Sequence, residues 1–206
     1  MIVYAHRGLH AAGLPENTLA AFNAAAERGW GIETDLRTDA DGGIVLFHDR
    51  TAGDRRVDEL TRAELAALVG YPIPTLDDLL AVDLKVPLNL EVKTTAALAA
   101  IMPYLPRLPV DVLISSFIHA IPAATAAHGI ESGLLLASVP LDPLSAPRPR
   151  LCTVIWDFNM ASADTLAAAT ARGYRNIAYG PRTPAEHAFL VAAGVHAIIT
   201  DTPDRV

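Results

Sequence analysis

Glu33 and Asp35 stand two residues apart, and so do Glu91 and Lys93. On a β-strand, residues so spaced project to the same face, so each pair would present its charged groups side by side. His6-Arg7 closes an apolar run near the start of the chain, and His48-Asp49 closes another. Three carboxylates brought to one place repel one another unless a cation sits among them. An all-oxygen set suits Mg²⁺ or Ca²⁺ rather than zinc, which prefers His and Cys. Two imidazoles beside such a site suggest an acid and a base. Arg7 offers a planar fork to a phosphate and Lys93 a point charge. Glu33, Asp35 and Glu91 are therefore candidate metal ligands, His6 and His48 candidate catalytic groups, and Arg7 and Lys93 candidate phosphate-binding groups.

Bringing these residues together is a task for the fold. Short apolar runs alternate with alanine-rich segments along the chain. Strands are expected at 2–6, 31–36, 44–48, 86–92, 110–115, 132–136, 151–156, 174–179 and 195–200. Helices are expected at 17–29, 61–69, 75–81, 94–102, 117–127, 163–172 and 184–193. The strands are apolar without strict alternation, as when both faces are covered. Strand–helix alternation implies βαβ units and a parallel sheet. Asn17 and Thr61 read as N-caps, Thr61 with Glu64 completing a capping box. Thr183-Pro184, followed by Glu186, opens a further helix. Gly29, Gly129, Gly173 and Gly194 stand where left-handed helix stops belong.

Nine strands exceed an eight-stranded barrel by one. Asp41-Gly42 between 31–36 and 44–48 is a hairpin signal, and the link is too short for a parallel crossover. Strand 44–48 should therefore fold back antiparallel, leaving a single (β/α)₈ TIM barrel over residues 1–206. A polar insertion is expected over about 49–74, and a proline-containing loop over 137–150. If the turn centres between Asp41 and Gly42, Asp35 pairs across from His48. Barrel enzymes carry their reactive groups at the C-terminal strand ends. Those ends read His6-Arg7-Gly8, Glu33-Thr34-Asp35, His48-Asp49, Glu91-Val92-Lys93, Ser115-Ser116, Asp157 and Asp201.

The chain has 206 residues and a net charge of −7. That charge argues against a broad nucleic-acid surface, which needs clustered Lys and Arg, yet one Arg and one Lys suffice for a small anionic substrate. Cys152 is the single cysteine, so no intrachain disulfide is possible. No signal-peptide pattern opens the sequence and no apolar run approaches the roughly 20 residues of a membrane span. A cytoplasmic protein with no membrane insertion is the expectation.

Taken in order, His6-Arg7-Gly8, Pro15-Glu16-Asn17-Thr18, Glu33-x-Asp35, His48-Asp49 and Leu90-Glu91-Val92-Lys93 resemble the signature of the glycerophosphodiester phosphodiesterase family. Ser115-Ser116-Phe117 and the closing stretch from Gly194-Val195 to Thr200-Asp201-x-Pro203-Asp204 resemble it too. The similarity covers nearly the whole chain. It implies metal-dependent hydrolysis of a glycerophosphodiester to sn-glycerol 3-phosphate and an alcohol. His6 and His48 would be the acid–base pair, Glu33, Asp35 and Glu91 would hold one Mg²⁺ or Ca²⁺, and Arg7 and Lys93 would bind phosphate. The neighbouring glycerol hydroxyl would attack phosphorus, giving a cyclic phosphate that water opens. Where the family usually carries Trp-Thr-Val-Asn, this chain reads Tyr179-Gly180-Pro181-Arg182.

Other residues have plainer readings. His10, His119, His128, His187 and His196 read as surface or satisfied core histidines. Glu16 and Asn17 suit loop fixing and helix capping. Trp156, Tyr179 and Ser115 are candidates for the substrate pocket, although Trp156 equally suits the barrel core and Ser115 an ordinary strand-end hydroxyl. Asp157 and Asn159 are within range of the mouth. Asp201 is expected to organise the final loop and Cys152 to be a buried small hydrophobe. Two competing functions are a phospholipase-type phosphodiesterase acting on a lipid head group, which the polar 49–60 segment disfavours, and a barrel that binds a phosphorylated ligand without turning it over.

Overall fold

Strands that are apolar on both faces need cover on both, and the architecture supplies it. A computed structural model describes residues 1–10, 13–139 and 147–206. The main strands are β1 (Ile2–Ala5), β2 (Gly31–Thr38), β3 (Ile44–Leu46), β6 (Leu88–Val92), β7 (Val112–Ser116), β8 (Glu131–Leu136), β9 (Thr153–Asp157), β10 (Arg175–Tyr179) and β11 (Ala197–Thr200). Two short strands, β4 (Thr51–Ala52) and β5 (Arg55–Arg56), form a separate antiparallel ribbon. The helices are α1 (Leu19–Ala26), α2 (Arg62–Val69), α3 (Leu76–Ala81), α4 (Thr95–Ile101), α5 (Ala120–Ala127), α6 (Ala163–Ala171) and α7 (Pro184–Ala192).

Strands β1, β2, β6, β7, β8, β9, β10 and β11 pair in parallel and close on themselves through β1–β2. This is the expected (β/α)₈ barrel, and β3 folds back antiparallel on β2 as the expected hairpin extension. The closing seam is short: only Tyr4↔Gly31 and Ala5↔Ile32 are in register there. Glycine is required at 31, because a Cβ would lie 2.7 Å from the Tyr4 ring. Half of the expected 137–150 loop falls on 140–146, outside the described residues.

The barrel interior is filled by Tyr4, Leu113, Leu135, Ile155, Ile177, Ala197 and Ile199. A second apolar layer lies between strands and helices, with Phe22, Leu36 and Leu90 on one side and Trp156, Leu166 and Leu190 on the other. Val45, Phe47, Val57, Leu60, Leu65 and Ile73 form a satellite core under the 51–74 segment. Capping boxes at Thr61, Thr75 and Thr183 start α2, α3 and α7, each worth about 1 kcal/mol.

Two expectations need correction. The cap of α1 is Thr18, whose hydroxyl accepts from the Ala21 N–H, and not Asn17. Asn17 instead adopts the left-handed conformation (φ 55°) and sends its side chain toward β2. The β2–β3 register is also one residue off the expected one. Leu36 pairs with Leu46 and Thr38 with Ile44, and the Phe47 N–H donates to the Asp35 carbonyl. Asp35 therefore lies opposite Phe47 and not His48. The cause is Asp39, whose carboxylate accepts from the Asp41 and Gly43 N–H groups and so lengthens the loop.

Candidate active site

At the C-terminal mouth, Glu33 and Asp35 of β2 and Glu91 of β6 meet. Each offers an oxygen within 4.8 Å of the others, and all three are buried. Strand pairing places Asp35 directly beside Glu91. Burial and the neighbouring Asp35 charge push the Glu33 carboxyl up to about 8. Burial likewise raises Glu91, with Lys93 only partly offsetting it. Asp35 goes the other way: burial opposes its ionisation, but Lys93 and the Asn17 amide outweigh that and lower it. The three carboxyls are thus driven apart in acidity within one cluster.

Lys93 Nζ lies 2.6 Å from Glu91 and 2.8 Å from Asp35. The Lys93 ammonium is the partner of the fully buried Asp35 Oδ1, which takes no other hydrogen bond. Three buried carboxylates that share one close ammonium fit a hard divalent cation.

His6 stands at the Glu33 side of this cluster, its Nε2 3.8 Å from Glu33 Oε2. Its Nδ1 is 2.6 Å from Asp201 Oδ1, and the same oxygen lies 3.2 Å from His10 Nε2. Burial disfavours the charged ring of His6, but the Asp201 bond and the Glu33 charge outweigh this and raise its pKa. The His6 bond holds Asp201 well below the usual carboxylate range. His48 lies within electrostatic reach of Asp35 and Glu91, and its Nδ1 is 2.8 Å from Asp49 Oδ1.

Arg7 adopts φ 56° and Gly8 φ 79°, a tight left-handed turn in which a Cβ on Gly8 would lie 2.8 Å from Ala21. That turn aims the Arg7 N–H at Glu33 Oε2, 3.1 Å away. The Arg7 guanidinium donates through Nη1 to both oxygens of Glu16 and lies 3.4 Å from Asp35 through Nε. Asn17 bridges the turn and β2: its amide donates to Asp35 Oδ2, and its carbonyl accepts from the Thr34 hydroxyl and the Asp35 N–H.

The seven residues singled out from the sequence as ligand, catalytic and phosphate-binding candidates gather in this one region. The substrate-pocket candidates divide. Tyr179 faces the barrel interior edge-on to Phe117, with Asp157 beside its hydroxyl. Ser115 is fully buried and donates to Asn89. Trp156 points outward into the layer under α6 and α7, its indole N–H donating to Asn176; it alternates with Ile155, which takes the inward position. Asp157 accepts from Asn159 at the end of β9. Cys152 is only half-buried, since it precedes β9 and does not lie within it.

Sequence reasoning gave Asp201 only a loop role and set His10 aside, yet the two meet at His6. Only the ring closure of β1 beside β11 brings them together, and no local pattern carries that information. Asn17 had a visible signal, the Pro15-Glu16-Asn17-Thr18 run, but its polar type suggested a cap. His187 is a satisfied core histidine as expected, bonded to the Thr183 carbonyl and the Thr200 hydroxyl.

Residues 6–128 match the model of the glycerophosphoryl diester phosphodiesterase family. Over 129 residues the chain is 36% identical to a Mycobacterium tuberculosis protein named "Probable glycerophosphodiester phosphodiesterase 2", a match covering 56% of this chain and 48% of that one. The matched region spans about half the length of the curated relatives. The fold superposes on a glycerophosphodiester phosphodiesterase of Thermotoga maritima with TM-score 0.81 at 23% identity, covering 99% of this chain and 96% of the other. It also superposes on an Oleispira antarctica phosphodiesterase, solved in complex with the product sn-glycerol-3-phosphate, with TM-score 0.83 at 25% identity, covering 100% and 94%.

Proposed function

Because this chain belongs to the glycerophosphoryl diester phosphodiesterase family, we propose that it hydrolyses glycerophosphodiesters to sn-glycerol 3-phosphate and an alcohol. The observation that carries this reading is the buried Glu33–Asp35–Glu91 triad, with His6 beside Glu33 and His48 within electrostatic reach of Asp35 and Glu91. The Oleispira antarctica relative supports the product assignment.

Glu33, Asp35 and Glu91 would hold one Mg²⁺ or Ca²⁺. Such a cation would supply charge stabilisation for the phosphate oxygens and lower the pKa of the attacking hydroxyl. Asp201 engages Nδ1 of His6 and Asp49 engages Nδ1 of His48. With Nδ1–H donated to these carboxylates, each ring presents Nε2 to the substrate. One imidazole takes the proton from the glycerol hydroxyl next to the diester as that oxygen attacks phosphorus. The other delivers a proton to the departing alcohol oxygen, and water then opens the cyclic phosphate with the roles reversed. Arg7 and Lys93 hold the phosphate. The Glu16 clamp on Nη1 of Arg7 fixes the guanidinium so that its other amino group faces a ligand.

The test is turnover of choline, ethanolamine, glycerol and inositol glycerophosphodiesters by protein stripped with chelator, then reloaded with Mg²⁺ or Ca²⁺. Activity should vanish on stripping and return with cation. Full activity in stripped protein, or no turnover of any diester with either cation, would overturn the reading.

A further inference from the structure

Next to the mouth, sharing Lys93 with the constellation described above, lies a second concentration of positive charge. Arg37, Arg50, Arg56 and Lys93 line a cavity of about 480 Å³, with Thr94 and Thr95 contributing hydroxyls. In a chain of net charge −7, four cations around one hollow are a local reversal of sign. The four are not equivalent. Arg56 is held by Asp58, which lines the same hollow, and Lys93 is held by Asp35 and Glu91. Arg37 donates its Nε–H to the His48 carbonyl at 2.8 Å, which leaves its two amino groups for another acceptor. Arg50 is exposed, and its charge reaches Asp58 across the hollow.

Arg37 continues the same face of β2 as Glu33 and Asp35, two residues further on. It is half-buried and lies within the fields of Asp35, Glu91 and Asp49. The hollow therefore adjoins the triad directly, and Lys93 belongs to both. The one directed bond of the Arg37 guanidinium goes to a neutral carbonyl, so its amino groups remain as donors for an anion in the hollow.

We propose that Arg37 and Arg50 form a second anion subsite, which binds a phosphate monoester or carboxylate carried by the alcohol half of the diester. The proposal rests on the hydrolytic reading above and deepens it, since it names the class of leaving group. Arg37 would hold the anion on the side nearest His48, and Arg50 would close over it from the exposed rim. Thr94 can join as a donor, because its oxygen accepts from the Ala97 N–H while its own proton stays available.

The experiment compares glycerophosphoglycerol with the same diester phosphorylated on its leaving glycerol, using wild type, Arg50→Ala and Arg50→Lys loaded with cation. Wild type should favour the phosphorylated diester by about tenfold in kcat/KM, the size of one good ionic contact. Arg50→Ala should erase that ratio, mainly through KM, and Arg50→Lys should restore part of it. An unselective wild type, or an undiminished ratio in Arg50→Ala, would overturn the subsite. Should neither diester turn over, the hydrolytic reading fails by itself. The subsite is then judged by calorimetric titration of inorganic phosphate into metal-free protein, where the three mouth carboxylates repel it. Binding that Arg50→Ala abolishes supports the proposal; absent or unaltered binding refutes it. The titration also separates free phosphate from a phosphate carried on substrate, since a subsite built for the free ion would bind it without any selectivity between the two diesters.

Discussion

The two ends of this barrel handle charge in opposite ways. At the N-terminal floor, Glu131 is paired with Arg150 and Arg175, and an apolar plug of Tyr4, Leu113 and Ile177 lies behind them. Glu131 there faces two cations. At the C-terminal mouth, three carboxylates are packed against one another out of solvent, in the company of Lys93, Arg7, Arg37 and the histidines. The floor is arranged to lower the energy of the folded chain. The mouth is arranged to hold a constellation that a folded chain alone would not choose, and the floor and helices tolerate it. Barrels in general divide stability and reactivity between their ends in this way, and here the division can be read from the partners of individual carboxyl groups.

The comparison can be broken most forcefully at the histidines. His6→Ala and His48→Ala should each lower kcat by about 10²–10⁴, the usual contribution of a general acid or base, with melting temperature little changed. Steady-state kinetics and a thermal melt on the same samples check this, and near-wild-type turnover would remove the acid–base assignment. On the stability side, Ile155→Ala in the barrel interior should cost about 2–5 kcal/mol by denaturant unfolding, as truncations in packed cores do. Glu33→Gln sharpens the contrast. It removes one of three crowded carboxylates, so metal-free protein should be as stable as wild type or more so, while cation affinity falls; a clear drop in stability would mean the triad is not strained.

Asp201→Asn should lower kcat about 10–100-fold, the range for partners that orient a reacting group, and shift whichever limb of the pH–rate profile His6 sets. The sign follows from geometry: Asp201 favours charged His6, so its loss lowers the His6 pKa and moves that limb to lower pH. The smallest effect belongs to the floor. Burial opposes ionisation of Glu131, but Arg150 and Arg175 outweigh it and lower its pKa. Its contribution is therefore present above the ordinary carboxylate range and is lost as pH falls through the folded value. Glu131→Gln should cost under about 1 kcal/mol near pH 7, because the partners are half-exposed. The cost should fade in melts at pH 3.

Much of this organisation was legible in the order of residues. Apolar runs alternating with alanine-rich segments specify a parallel barrel, and two-residue spacing places Glu33 with Asp35 on one face. What local pattern does not carry is the contribution of ring closure and of side-chain capture by the backbone. Asp201 reaches His6 only because the last strand lies beside the first. Asp39 drew two N–H groups into its carboxylate and moved the hairpin register by one. Trp156 sat at a strand end beside an acidic residue, but its position in the alternation sent it outward to Asn176. Asn17 had the residue type of a cap, and its left-handed backbone turned it toward Asp35 instead.

The two-pair junction of β1 with β2 has a mechanical consequence. His6 and Arg7 hang from one lip of that junction and Glu33 from the other, and the Arg7 N–H spans the gap to Glu33. A cation gripped by Glu33 and Asp35 of β2 and Glu91 of β6 would therefore splice one lip of that junction to its other neighbour, leaving the junction itself to the Arg7 N–H. Calcium or magnesium should then delay hydrogen exchange of the amides paired between β2 and β6 before it slows those of Tyr4 and Ala5.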